Sequence, residues 1–183
     1  MSSLGDEARP VFDEVAAVLD AIPPPRLDAI VEAIAAAGTC ALYGQGRTGL
    51  VMQAFAMRLH HLGVAAHVVG AMNAPPLGPG DLFLVNAAKG DLPTGLALIA
   101  SARRAGARIA LFTAAVDSDA ARTADHVVPI PAGMGGAATP SRLAMGGTYE
   151  FALLTVTELI VLRLMKRLHV TEAAMWSRHA NLL

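Results

Sequence analysis

The sequence predicts an α/β fold, a doubly wound parallel sheet with helices on both faces. Three observations carry this. Five short apolar runs are continuous rather than alternating, which suits strands buried on both sides of a parallel sheet. Stretches with helical apolar spacing lie between most of them and supply the crossovers. After the first run comes a glycine-rich turn, Gly44-Gln45-Gly46-Arg47-Thr48-Gly49, at the carboxyl end of a strand where such folds bind ligands.

Taken in order, residues 11–19 show helical spacing, and Pro23-Pro24-Pro25 breaks that helix. A second helix over 27–37 is expected to close at Gly38, a residue type suited to a left-handed cap. Strands are expected at 39–43, 65–69, 82–86, 108–113 and 126–130, with helices at 48–62, 92–105 and 118–124. Residues 70–81 hold Pro75, Pro76 and Pro79 and predict a loop. The stretch 131–147 is rich in Gly, Ala and Pro, so 132–147 reads as a long functional loop or lid. A long apolar helix over 148–168 and a short one over 171–178 complete the chain. One domain is expected: N-terminal helices over 1–37, an α/β core over 38–131 and C-terminal helices over 148–183.

Composition narrows the function. Of 183 residues 54% are hydrophobic and 16% charged, a balance that predicts faces buried against partner subunits in a dimer or tetramer. A net charge of −1 gives no support for a nucleic-acid surface. The single cysteine, Cys40, leaves neither a disulfide framework nor a cysteine-based zinc site. The first ten residues carry acids and no apolar core, unlike a signal peptide. The apolar run 151–165 is interrupted by Glu158 and Arg163 and is too short to span a bilayer. A cytoplasmic protein is the expectation.

The turn at 44–49 is expected to hold the anionic end of a small metabolite. Glycines allow close backbone approach, and the helix that follows aims its unpaired N–H groups and partial positive charge at the same point. Arg47 adds a cation and the Thr48 hydroxyl a donor. The pattern also matches the dinucleotide fingerprint G-x-G-x-x-G, which wants an acid at the end of the second strand. That strand instead runs into Val69-Gly70-Ala71-Met72-Asn73, and the next acid is Asp81. A purely structural tight turn is the other alternative. His60 and His61 are adjacent, so on a helix they point about 100° apart and cannot chelate together. One is expected to pack inward and the other to face water, and no metal is predicted. Glu150 falls in the first turn of the long helix. It either complements the helix dipole, a contribution below about 1 kcal/mol, or does chemistry. Glu158 is expected as a polar contact between subunits. Met72 and Asn73 either line a ligand or form an ordinary loop.

Four stretches together resemble one family. Gly44-Gln45-Gly46-Arg47-Thr48-Gly49 is similar to a G-x-G-R-S-G motif, and Ala54-Phe55-Ala56-Met57-Arg58-Leu59-His60-His61-Leu62-Gly63 to A-F-A-M-R-L-x-H-L-G. Gly147-Thr148-Tyr149-Glu150 is similar to G-T/S-x-F/Y-E, and Arg178-His179-Ala180-Asn181-Leu182-Leu183 to a terminal R-H-A-N-L-E. These motifs belong to the SIS (sugar isomerase) family, and the chain most resembles its 6-phospho-3-hexuloisomerases. The resemblance implies a three-layer α/β/α sandwich around five parallel strands, commonly a tetramer. It implies cofactor-independent interconversion of 3-hexulose 6-phosphate and fructose 6-phosphate through an enediolate. It makes Glu150 the base, with His61 or His179 polarising oxygens or helping ring opening, and His179 reaching a neighbouring subunit's site.

One loop departs from that family. Where it carries S-G-S-G-E-T/S for phosphate, this chain has Ala87-Ala88-Lys89-Gly90-Asp91-Leu92. Each lost hydroxyl removes a donor worth roughly 1.5–3 kcal/mol toward a charged group. Lys89 restores a point charge. The anion is expected among Gly44, Gly46, Arg47, Thr48, Lys89 and Gly90, flanked by Ala87, Ala88 and Asp91. Three readings follow: a phosphosugar isomerase, an isomerase of a sulfonated sugar, and a non-catalytic phosphosugar-binding module.

Overall fold

A computed structural model describes residues 2–133 and 141–182. Five parallel strands form its centre: β1 (Cys40–Tyr43), β2 (Ala66–Val68), β3 (Leu82–Asn86), β4 (Arg108–Thr113) and β5 (His126–Pro129). Their order is β2-β1-β3-β4-β5. β3 and β4 fall where the apolar runs placed them, and the other three are trimmed by one or two residues. Every residue of β3 is buried, because helical layers cover both sides of the sheet.

Alternation along the strands divides the core. Leu42, Leu82, Leu84 and Phe112 face helices α1 (Leu4–Asp20), α2 (Pro24–Ala35), α3 (Gly46–His61) and α6 (Gly147–Arg167). Ala41, Phe83, Val85, Ile109 and Leu111 face α4 (Pro93–Arg104) and α5 (Asp119–Thr123). A short α7 (Glu172–Trp176) packs beside α3. The helix α6 is central to the first layer: Ala152, Leu153, Val156, Ile160, Val161 and Leu164 are fully buried there. Burying each of its large side chains contributes roughly 1.5–3 kcal/mol. No helix among the described residues is long and apolar enough to cross a membrane.

Helix ends depart most from expectation. α1 starts at Leu4, not near 11, because Ser3 and Asp6 form a capping box. That cap, with the Arg9–Asp6 ion pair, steadies a turn weakened by Pro10, which lacks the N–H for a helical bond. Pro24 and Pro25 end the first helix as expected and also open the second, at positions where no N–H is needed. Gly38 is not the cap of α2. Ala36 caps it in the right-handed region, whereas Gly38 donates its amide to Gly80 and leaves only 3.1 Å between a built Cβ and Asp81 Oδ1. Of the expected lid at 132–147, residues 134–140 lie outside the described residues.

The glycines at 44–49 divide their tasks. A Cβ on Gly49 would stand 2.6 Å from the Gly44 carbonyl oxygen, so strand and helix approach too closely for a side chain. Gly46 instead takes a left-handed conformation, φ 58°. Gly49→Ala is therefore expected to cost about 1–3 kcal/mol of stability, read as a lowered urea midpoint; an unchanged midpoint would contradict this packing.

Candidate active site

After β1 the chain turns to one face of the sheet as α3, and after β3 to the other as α4. Between adjacent strands that part in this way a crevice opens at the carboxyl edge. Gly44–Thr48 forms one lip and Ala87–Asp91 the other. Neither α3 nor α4 has a side-chain cap, and the same holds for α6. Their first-turn N–H groups therefore face outward unpaired by side chains. A Cβ on Gly46 would meet nothing within 4 Å, so this backbone lies open to the crevice.

The second lip is rigid. Thr113 Oγ1 donates to the Ala87 carbonyl at 2.8 Å, and the Ala114 amide donates to the Ala88 carbonyl at 3.0 Å. Gly90, at φ 84°, presses on Ser118 so closely that a Cβ would lie 2.3 Å from the serine's own. Its amide returns to the Ala87 carbonyl at 2.9 Å. Among the described residues the amides of Ala88, Lys89 and Asp91 meet no acceptor. Lys89 and Asp91 are exposed, while Ala87, Ala88 and Gly90 are buried.

A buried hydrogen-bond chain joins the two lips to α6. Thr48 Oγ1 donates to the Gln45 carbonyl at 2.9 Å and accepts from Asn86 Nδ2 at 2.8 Å. Tyr149 Oη donates to Asn86 Oδ1 at 2.7 Å. The Gln45 carbonyl can only accept, so the direction of every bond in the chain follows from it. Burial pushes the Tyr149 phenol far above its ordinary value, which keeps it a donor. The Thr48 hydroxyl, expected from the sequence as a donor to the anion, is engaged within the protein in this structure. Asn86 and Tyr149 were not singled out from the sequence; the signal for Asn86 is a polar residue ending the apolar run Leu82–Asn86.

Glu150 sits in the first turn of α6. Its Oε2 lies 2.6 Å from Arg47 Nη2, in contact but off the hydrogen-bonding direction. Arg47 is 65% exposed and Glu150 14%, so the guanidinium is free to swing while the carboxylate is held. Oε2 is a buried oxygen without a hydrogen-bond partner among the described residues. This sets one carboxylate oxygen beside an exposed cation near the crevice. Met72 and Asn73 follow β2 along the same carboxyl edge, both exposed.

The histidines lie elsewhere. His61 ends α3, whose 16 residues put it about 22 Å from Gly46 at 1.5 Å per residue. A single chain therefore keeps His61 and His179 apart from Glu150. The two rings stack with centroids 5.3 Å apart, and Trp176 packs on His179 at 5.2 Å. Arg178 Nη1 donates to the His61 carbonyl at 3.0 Å and its guanidinium lies over Gly63. These rings line a cavity of about 420 Å³ with Met57, Arg58, Met165 and Trp176. Burial foremost, then His179, Arg58 and His60, hold His61 below its ordinary value. As expected for adjacent residues on a helix, His61 is buried and His60 exposed. Glu158 is not a contact reserved for another subunit: it grips Arg58 of α3 within the chain, at 3.1 and 3.2 Å.

Residues 33–155 match the SIS domain model. The chain belongs to the SIS domain family. It is 37% identical over 174 residues to a 3-hexulose-6-phosphate isomerase of Mycobacterium gastri, covering 94% of this chain and 87% of that protein. It is 34% identical to the protein of the same name from Methylomonas aminofaciens, covering 85% and 86%. A Methanococcus jannaschii protein, whose crystal structure was described as inferring a molecular function of 3-hexulose-6-phosphate isomerase, superposes with a TM-score of 0.84 at 26% identity, covering 97% of this chain and 99% of that one.

Two outcomes are expected of this geometry. Tyr149→Phe leaves the buried Asn86 Oδ1 unpaired and should cost about 1–3 kcal/mol in denaturant unfolding. The His61 imidazole should titrate below 6.5 by proton NMR. Because its folded value is the lower one, the stability tied to neutral His61 is complete above the unfolded value and is lost as pH falls through the folded one. A midpoint at or above 6.5 would contradict the burial of this ring.

Proposed function

We propose that this SIS protein is a cofactor-independent isomerase of a phosphorylated ketose, interconverting 3-hexulose 6-phosphate and fructose 6-phosphate. The observation that carries the reading is Glu150: a largely buried carboxylate whose Oε2 contacts exposed Arg47, beside a crevice rimmed by amides that meet no acceptor among the described residues. The likeness to relatives named 3-hexulose-6-phosphate isomerase supplies the substrate class. The two sugars differ in whether carbon 2 or carbon 3 carries the carbonyl. Glu150 takes the proton from carbon 2 of the 3-ketose, an enediolate forms, and the proton returns at carbon 3. Arg47 lies close enough to Glu150 to meet the charge that develops on the enediolate oxygens. Lys89 and the amides of Gly46–Thr48, Ala88, Lys89 and Asp91 hold the anion, with Asn73 at the margin.

His61 and His179 enter through a second copy. Exposed Leu50, Met57, Phe151, Leu154 and Leu162 run along α3 and α6, between Glu150 at one end and the histidines at the other. A two-fold axis across this face exchanges the ends, setting one subunit's histidines toward the other's Glu150. This supports a dimer, or a tetramer built from such pairs.

A sulfonated sugar is the second reading, favoured by the lack of hydroxyl donors. Ala87, Lys89 and Leu92 carry none, and that of Thr48 is engaged. A sulfonate bears a single charge and demands fewer donors than phosphate.

The test is a proton NMR time course in deuterated water with fructose 6-phosphate and, separately, a 6-sulfo-ketohexose. Deuterium is expected at the carbon beside the carbonyl of the phosphosugar, and Glu150→Gln should slow its uptake about 10²–10⁴-fold. Near-wild-type exchange in that variant would remove Glu150 as the base. Exchange with the sulfonate alone would shift the substrate to the second reading, and none with either would leave a binding module. Lys89→Ala should raise KM about tenfold or more if Lys89 anchors the anion; an unchanged KM would leave that lysine in solvent.

A further inference from the structure

We propose that Glu14, on the N-terminal helix α1, is a positioning residue for Glu150. The inference rests on Glu150 being the base and adds how that base is held. Immediately before α6 the chain passes through two left-handed residues, Met145 at φ 57° and Gly146 at φ 80°. A non-glycine residue in that region is costly, and Met145, 89% exposed, has no packing to hold it there. The N-cap of α6 is Gly146, with no side chain to fix the first turn. The backbone leading to Glu150 therefore does not set its own position.

One carboxylate spans this kink. Glu14 Oε2 accepts from the Arg142 amide at 3.0 Å, before the left-handed pair, and Oε1 accepts from Thr148 Oγ1 at 2.7 Å, after it. Ser141 Oγ lies 2.8 Å from Thr148 Oγ1 and completes the cluster. The hydroxyls of Ser141 and Thr148, then the Arg142 amide, hold the Glu14 carboxyl below its ordinary value, so it is the ionised form that makes the clamp. Both oxygens are used, and a glutamine offers only one acceptor.

Three consecutive side chains of α6 are thus tied to three different elements. Thr148 is held by α1, Tyr149 by Asn86 of β3, and Glu150 meets Arg47 of α3. The tie to α1 is the only one of these that also grips the segment before the kink. Without it, α6 keeps its apolar seat and the Tyr149 tie, but the kink before the helix loses its grip on the first turn, and even a small displacement of a base is costly in rate.

The test compares Glu14→Gln, Thr148→Val and their double variant with Thr148→Ser and Asp13→Asn in the fructose 6-phosphate exchange assay, per mole of folded protein. Glu14→Gln and Thr148→Val should each lower kcat about 10- to 100-fold while KM stays within about twofold. The double variant should fall no further than the worse single one, since both break one clamp. Thr148→Ser keeps the hydroxyl and should regain most of the rate. Asp13→Asn, an exposed charge on the same helix, should leave it unchanged. A merely structural role would lower the unfolding midpoint and spare kcat. Losses that multiply in the double variant, or a Glu14→Gln kcat within about twofold of wild type, overturn the clamp. If the wild-type protein turns over no phosphoketose, the base reading has failed, and the clamp is then read from the ¹³Cδ resonance of Glu150, assigned by its loss in Glu150→Gln. Displacement of that resonance in Glu14→Gln sustains the clamp, and an unmoved resonance overturns it.

Discussion

The buried chain Tyr149–Asn86–Thr48 is the joint on which the site depends. Apolar packing seats α6 on the sheet, with Val156, Ile160, Val161 and Leu164 wholly buried. Such packing fixes a face but tolerates small rotations and slides, because many hydrophobic contacts are nearly interchangeable. A buried amide is less forgiving. Asn86 is 2% exposed, and any slide that parts it from Tyr149 or Thr48 leaves a polar group in the core without water or partner. The polar chain therefore sets where α6 begins relative to both lips of the crevice. Glu150, one residue beyond Tyr149, inherits that position.

Helix capping separates the scaffold from the site. α1, α5 and α7 are capped by the side chains of Ser3, Ser118 and Thr171. The two helices that flank the crevice, α3 and α4, and the helix that carries Glu150, are not. α2 is also uncapped, but it opens on two prolines that have no N–H to satisfy, and α4 opens on one, Pro93. A side-chain cap would occupy the amides that an anion needs, so stability at these ends is exchanged for binding capacity.

Strand positions were legible because each is a continuous apolar run bounded by turn residues, a signal confined to a few neighbouring residues. The doubly wound fold followed from their alternation with helices, and the three-layer sandwich from the family resemblance. The cap at Gly38 misled because glycine serves two purposes, left-handed conformation and close approach, and here it serves the second. The start of α1 was hidden by Pro10, whose cost the Ser3–Asp6 box offsets. Glu150, Arg47 and the two loops could be read from motifs. Asn86 and Glu14 could not, since their partners stand 63 and 134 residues away and exist only once α6 has docked. The separation of His61 from Glu150 was likewise invisible: both belong to recognisable motifs, and only the length of α3 shows that they lie at its opposite ends.

On the proposed function, the altered loop at 87–92 changes how an anion is gripped more than whether it is. Serine and threonine hydroxyls donate flexibly and must be ordered on binding, at an entropic cost. Here the carbonyls of Ala87 and Ala88 are pinned by Thr113 and Ala114, and Gly90 is wedged against Ser118. The amides that remain are aimed before any ligand arrives. Lys89 adds charge on a flexible stem, a point source with little directional demand. Direction comes from the backbone and charge from the side chain. On the proposed function, a tetrahedral anion would meet these amides by shape, with Lys89 and Arg47 as the nearby cations. Because Arg47 is already in contact with Glu150, an anion that draws it away also strips the carboxylate of its counter-charge. On the proposed function, a bound anion and Glu150 therefore compete for one exposed guanidinium.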